Sequence, residues 1–142
     1  MIRVSILATA CLAVAACGAS KADKTAATCT AMLGGDPEIQ EDLAEDGDTV
    51  EAYCGCYSQL LADEPEANQE TILKVSRVIA DIREENNLGL EEAAGRVDDD
   101  FDASGNSSAY GVTATEFETT GRYVDTVRRA LTREDGACHS AG

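Results

Sequence analysis

Residues 49–62 read TVEAYCGCYSQLLA, and this stretch predicts the central helix of the fold. Asp48 and Glu51 form a pattern similar to a capping box, which predicts a helix from Thr49 to about Ala62. The apolar residues recur at the three- and four-residue spacing of an amphipathic helix, and they are Val50, Tyr53, Cys54, Tyr57, Leu60 and Leu61. We therefore expect this helix to lie in the core, with its two tyrosines used for packing.

Cys54 and Cys56 limit how the chain can be cross-linked. Two positions apart on a helix, they point about 200° away from each other, so their sulfur atoms should reach different partners. With Cys29 and Cys138 as those partners, two disulfide pairings stay open: Cys29–Cys54 with Cys56–Cys138, or Cys29–Cys56 with Cys54–Cys138. Each bridge would contribute about 2–4 kcal/mol, mainly by restricting the unfolded chain.

Helical patterns extend on both sides of this stretch. The Asp36-Pro37 pair predicts an N-cap and a first-turn proline, and Thr113 with Glu116 predicts a capping box. The predicted helices besides the central one are 25–33, 38–45, 65–86, 90–101 and 114–132. Two of them carry clear apolar stripes, formed by Ile72, Val75, Ile79 and Ile82 in one and by Phe117, Gly121, Val124, Val127 and Leu131 in the other.

The expected fold is all-α, a small disulfide-stapled bundle of about four to six helices, several of them short. No stretch of useful length shows the alternation of a β-strand. We expect residues 25–142 to form an acidic helical domain that ends in a flexible C-terminal tail. A chain of 142 residues has room for one such domain.

Composition excludes some classes of function. The chain has 27 acidic and 11 basic residues and a formal charge of −16, which argues against binding to nucleic acid. At 44% hydrophobic residues it is too apolar to be a disordered acidic chain. The sequence has no Gly-rich phosphate loop, no zincin helix and no Gly-x-Ser-x-Gly elbow, so we expect no enzymatic activity.

The N-terminus has the pattern of an export signal. Arg3 is followed by an apolar run from Val4 to Ala16, which is shorter than the about 20 residues of a transmembrane helix. The segment ends in Val14-Ala15-Ala16-Cys17, which resembles the lipobox of bacterial lipoproteins. The resemblance implies cleavage before Cys17, lipidation of its sulfur, and a lipid-anchored tether over residues 17–24. The alternative is an ordinary signal peptide, which would leave a soluble periplasmic or secreted protein.

The resemblance to a lipobox also indicates in which membrane the protein would be anchored. Gly18 follows the lipidated position, where Asp would signal retention in the inner membrane, so an outer-membrane anchor is favoured. Two or three acyl chains on Cys17 would give stable anchoring, whereas a single chain binds only marginally.

Two other sites are alternatives. Cys54 and Cys56 would form a thiol-redox pair if both were free, or a metal site together with Cys138 and His139. Against redox chemistry, the predicted helix carries no basic residue that would lower a thiol pKa. We otherwise expect His139 to be a solvated residue of the tail.

An acidic stretch gives a further alternative, weak Ca²⁺ binding, whereas the main expectation is that the chain holds no cofactor. The candidate residues are similar to the start of an EF-hand loop, and they are Asp98, Asp100, Asp102 and Ser104. Gly105 fits the sixth loop position, but Gly111 stands at the twelfth, where the bidentate Glu belongs.

These patterns together predict a non-enzymatic, lipid-anchored protein of the cell envelope that acts as a binding or structural module. Its expected partners are the membrane, through the N-terminal lipid, and another envelope protein. The alternatives are the thiol-redox or metal-handling role and the calcium-binding role. The sequence does not identify the partner or a small-molecule ligand.

Overall fold

The computed structural model describes residues 20–138, apart from the side chain of Asp102, and this range folds into six α-helices. The helices are α1 (Lys21–Leu33), α2 (Pro37–Glu45), α3 (Val50–Asp63), α4 (Glu66–Asn86), α5 (Leu90–Ser104) and α6 (Ala114–Thr132). Within these residues the only β-type pairing is one isolated bridge between Ser107 and Thr113. The predicted all-α, disulfide-stapled bundle is confirmed.

Most helix starts follow the capping residues in the sequence. Asp36 caps α2 and Pro37 is its first residue, as predicted. Thr113 and Glu116 form the predicted capping box of α6, with Glu116 N–H donating to Thr113 Oγ1 at 3.2 Å. At α3 the prediction is wrong by one residue, because Thr49 Oγ1, and not Asp48, accepts the capping bond.

The first helix begins four residues earlier than predicted. Ser20 and Asp23 form a reciprocal capping box, with Ser20 N–H donating to Asp23 Oδ2 at 2.9 Å and Asp23 N–H donating to Ser20 Oγ at 3.1 Å. Residues 21–24, predicted to be part of the lipid-anchored tether, therefore form the first turn of α1. Any tether between Cys17 and the domain is correspondingly shorter.

One further helix boundary and the state of the tail differ from the sequence prediction. The helix predicted to end near Phe101 continues to Ser104 and ends at Gly105, whose φ of 83° suits glycine. The tail after α6 is held at Cys138, whose N–H donates to Ala130 O at 3.2 Å and whose sulfur is in a disulfide.

The core lies between α1, α3, α4 and α6, whose mutual contacts are the most extensive in the described range. The predicted stripe of α4 is buried throughout. The predicted stripe of α6 is only partly buried, because Gly121 is exposed and Phe117 and Val124 are half-buried. Among residues 20–138, no helix combines the length and the apolar character needed to cross a membrane.

Candidate functional site

The four cysteines in the described residues form two disulfides around α3. Cys54 joins Cys29 of α1, and Cys56 joins Cys138 beyond α6, with Cα–Cα distances of 5.5 and 5.6 Å. The prediction that Cys54 and Cys56 reach different partners is confirmed, and of the two pairings left open the structure has the first. Disulfides of this kind are typical of proteins outside the reducing cytosol, so the protein is extracytoplasmic.

The redox and metal alternatives depend on free thiols. Cys54 and Cys56 are buried and both are oxidised in disulfides, so neither has a thiolate to offer in this structure. Among residues 20–138, no three His, Cys, Asp or Glu side chains converge as metal ligands. His139, the fourth predicted ligand, and Cys17, the predicted lipidation site, lie outside the described residues. Both alternatives stay predictions.

The acidic stretch lies on a helix instead of in a loop. Asp98, Asp100 and Ser104 belong to the last turns of α5, as does the backbone of Asp102. The Asp100 carboxylate accepts hydrogen bonds from Ser104 Oγ at 3.3 Å and from the N–H of Ala109. These bonds give Asp100 a structural role in closing the turn after α5, and calcium binding there stays a prediction.

The tyrosines of α3 are packing residues, as expected. Tyr57 Oη lies 2.9 Å from Ser76 Oγ of α4, and the Tyr123 hydroxyl of α6 donates to Tyr57 O. The Tyr57 and Tyr123 rings meet edge to face at 5.0 Å, and Tyr53 Oη donates to Val124 O at 3.0 Å. Burial raises the pKa of each of these three phenols, so the hydroxyls stay neutral and join three helices.

A buried ion pair that the sequence did not predict lies at one end of the bundle. Asp36 Oδ2 is 3.5 Å from Arg83 Nη2, and both side chains are less than a tenth exposed. The same carboxylate accepts N–H bonds from Glu38 at 3.1 Å and Ile39 at 3.4 Å in α2, and from Leu90 at 2.6 Å in α5. Asp36 thus caps two helices at once.

Arg83 binds carbonyl groups at the C-terminal ends of two other helices, α1 and α4. Its guanidinium donates to the carbonyl oxygens of Met32 and Gly34 at the end of α1, and to Leu88 O just after α4. Burial alone would raise the pKa of Asp36, but the three N–H bonds and the charge of Arg83 outweigh it and hold that pKa below its ordinary value.

The largest of the described cavities, of about 590 Å³, lies beside this ion pair. Its lining is mainly polar and includes Gly34, Asp81, Glu84 and Asn87. The hydrogen-bonding groups of Asp36 and Arg83 at this cavity are already bonded to backbone groups of the same chain. The cavity therefore follows from the meeting of four helix ends, and its chemistry does not identify a ligand.

An apolar groove opens between α2 and α6. Two cavities, of about 250 and 140 Å³, adjoin at the lining residues Leu90, Gly121 and Val124, and together they are here called the α2–α6 groove. Its apolar lining consists of Met32, Leu33, Ile39, Leu43, Tyr53, Val75, Ile79, Leu90, Ala94, Phe117, Gly121 and Val124. Such a surface, apolar at the base and polar at the edge, has the composition of a binding site.

The rim of the groove is mainly acidic. It is formed by Asp42, Asp46, Asp125 and Arg128. Arg128 Nη2 lies 3.7 Å from Asp46 Oδ2 in an exposed ion pair that joins α6 to the end of α2. Within the groove lining, three carboxylates therefore face one guanidinium.

Sequence reasoning missed the groove because its walls come from helices distant in the chain. One signal was present in the sequence: Gly121 interrupts the apolar stripe of α6 in the middle of a helix.

The comparisons give no functional lead, since no protein-family model, no curated protein and no solved structure matches this chain.

Proposed function

We propose that this chain is an exported, lipid-anchored protein of the bacterial cell envelope, whose helical domain serves as a non-enzymatic binding module. The observation that carries the proposal is the pair of disulfides centred on α3, because such bridges form and persist outside the cytosol. The signal-like N-terminus and the lipobox-like residues before Cys17 supply the route of export and the point of attachment.

The domain begins close to the proposed anchor. Ser20 caps α1 only three residues after Cys17, and Lys21 Nζ donates to Gln69 Oε1 at the start of α4. A lipidated Cys17 would hold this end of the bundle at the membrane surface, in the outer membrane if Gly18 is read as a sorting signal.

The α2–α6 groove supports the binding role. It lies at the other end of α1, where Leu33 contributes to its lining. The 13 residues of α1 span about 20 Å, and this length separates the anchored end of the helix from the groove. A module held in this way would meet another envelope protein.

Metabolic labelling with an alkyne fatty acid tests the anchor. We expect the wild-type chain to incorporate the label and to fractionate with membranes, and Cys17→Ser to abolish both. The matched control is Cys11→Ser, which changes a cysteine of the same apolar segment that should be removed with the signal peptide. Equal labelling of wild type and Cys17→Ser, or an intact Met1 on the exported protein, would overturn the proposal.

A further inference from the structure

We infer that the α2–α6 groove binds an apolar segment flanked by lysine or arginine, supplied by a basic partner protein. This inference deepens the proposed binding role, and it rests on the proposed function only for the distance between the groove and the membrane anchor. Three observations carry it: the apolar linings of the two adjoining cavities, the glycine where they adjoin, and the charge of the rim.

Gly121 leaves room in the groove where a side chain would fit. It lies in the interior of α6, where glycine costs about 1 kcal/mol relative to alanine. A Cβ added at this position would meet no atom within 4 Å, and the backbone φ is not in the left-handed region. The packing of this chain therefore does not require glycine here, and the absent side chain leaves open space beside Leu90 and Val124, which line both cavities together with Gly121.

The charged side chains at the rim favour a bound segment of positive charge. Asp42 is exposed and makes no ion pair within residues 20–138, and Asp125 lies on the opposite wall, paired with Arg129 at the surface. Arg128 is already occupied by Asp46. The unsatisfied charge at the groove is thus negative, which adds to the charge of −16 on the whole chain and attracts a basic partner.

The same charge argues against a lipid as the occupant. A fatty-acid carboxylate or an anionic headgroup would meet the rim carboxylates and be repelled. In an anchored protein the groove would also lie about 20 Å along α1 from the anchored end of that helix. An apolar protein segment with basic residues beside it would pack its apolar side chains on the apolar lining and place its positive charges near the rim carboxylates. A helix bound in a groove makes contacts of this kind.

Binding of a synthetic peptide tests the inference. The probe is a peptide of leucine and lysine, with the leucines at helical spacing, and its affinity for the Cys17→Ser chain is measured by fluorescence anisotropy. We expect Gly121→Leu to fill the groove and weaken binding by about tenfold or more, since one displaced apolar side chain accounts for such a loss. The matched control is Gly95→Leu, which changes an exposed glycine inside α5 with equally open surroundings.

The expected pattern is intact binding in Gly95→Leu, weaker binding in Asp42→Asn, and no binding of peptides in which lysine is replaced by glutamate or leucine by serine. Equal affinity in Gly121→Leu and wild type would overturn the inference, as would displacement of the peptide by oleate. Because Cys17→Ser carries no lipid at that position, this result is independent of the labelling experiment. Unchanged helix content by circular dichroism shows that each variant is folded.

Discussion

Asp36 determines how four helix ends meet. Its carboxylate receives N–H groups from the starts of α2 and α5, where the helix dipole favours a negative charge. Through Arg83 the same carboxylate is linked to the carbonyl groups at the ends of α1 and α4. Because both charges are buried, removing one would leave the other without its counter-charge.

We expect Asp36→Ala to lower the free energy of unfolding by about 3 kcal/mol, since it removes two caps and leaves Arg83 unpaired. Asp36→Asn keeps an oxygen acceptor but loses the charge, and it should cost less. Urea unfolding at neutral pH measures both. Equal stability of Asp36→Ala and wild type would show that Arg83 is satisfied by the carbonyl groups alone.

The same variants carry a pH signature. The pKa of Asp36 is lowered in the folded state, so its stabilising effect is complete above the unfolded value of 3.8 and disappears as the pH falls through the folded value. The stability difference between wild type and Asp36→Asn should therefore shrink only in acid. A stability difference that stays constant as the pH falls below the folded-state pKa of Asp36 would contradict the role given to its charge.

The roles that single residues play within their own segment were predictable from the sequence, and their long-range partners were not. Asp36 was predicted to cap α2 because an Asp-Pro pair is a local signal. Its bond to Leu90 and its pairing with Arg83 join residues 54 and 47 positions away, which depends on how helices pack. Ser20 and Asp23 did form a local signal, but they stand in a polar stretch that resembles a tether.

Among the elements, α3 explains most about the fold. Its two cysteines face different sides, and this could be derived from helix geometry alone. Which of the two cysteines bonds to Cys29 of α1 could not be derived, because it depends on the side of α3 on which α1 packs. The hydroxyls of Tyr53, Tyr57 and Tyr123 then tie α3 to its neighbours inside the core.

The second helix is the least firmly held of the six in the described range. It has nine residues and none of them is buried, and Ile39 and Leu43 reach the core only from its edge. Isolated helices of this length are marginal in water. Besides this packing, α2 is held by the Asp36 cap at one end and by the exposed pair of Asp46 and Arg128 at the other.

We expect α2 to exchange its amide hydrogens fastest among the helices of residues 20–138, with an opening free energy well below that of global unfolding. Hydrogen exchange read by mass spectrometry measures this, with α4 as the internal reference. Bound leucine–lysine peptide should slow the exchange of α2, because α2 forms one wall of the groove. Protection of α2 equal to that of α4 in the free protein would contradict this view.

For the whole molecule, covalent cross-links compensate for a light core. Aromatic residues make up 4% of the chain, the net charge of −16 opposes compaction, and the buried residues are mainly aliphatic. The two disulfides span 25 and 82 residues, so they restrict the unfolded chain to different degrees. The longer one fixes the segment after α6 to α3 and so joins distant parts of the sequence.

In the chain-entropy description, the ratio of these spans makes the Cys56–Cys138 bridge worth about 1 kcal/mol more than the Cys29–Cys54 bridge. Two double variants isolate each bridge: Cys29→Ala with Cys54→Ala, and Cys56→Ala with Cys138→Ala. In each variant the difference in unfolding free energy between oxidised and reduced protein reports the remaining bridge, and the substituted side chains cancel. We expect the larger difference where Cys56–Cys138 remains. Equal or reversed differences would mean that native packing around the buried Cys29 and Cys54, and not loop length, governs how these cross-links stabilise the domain.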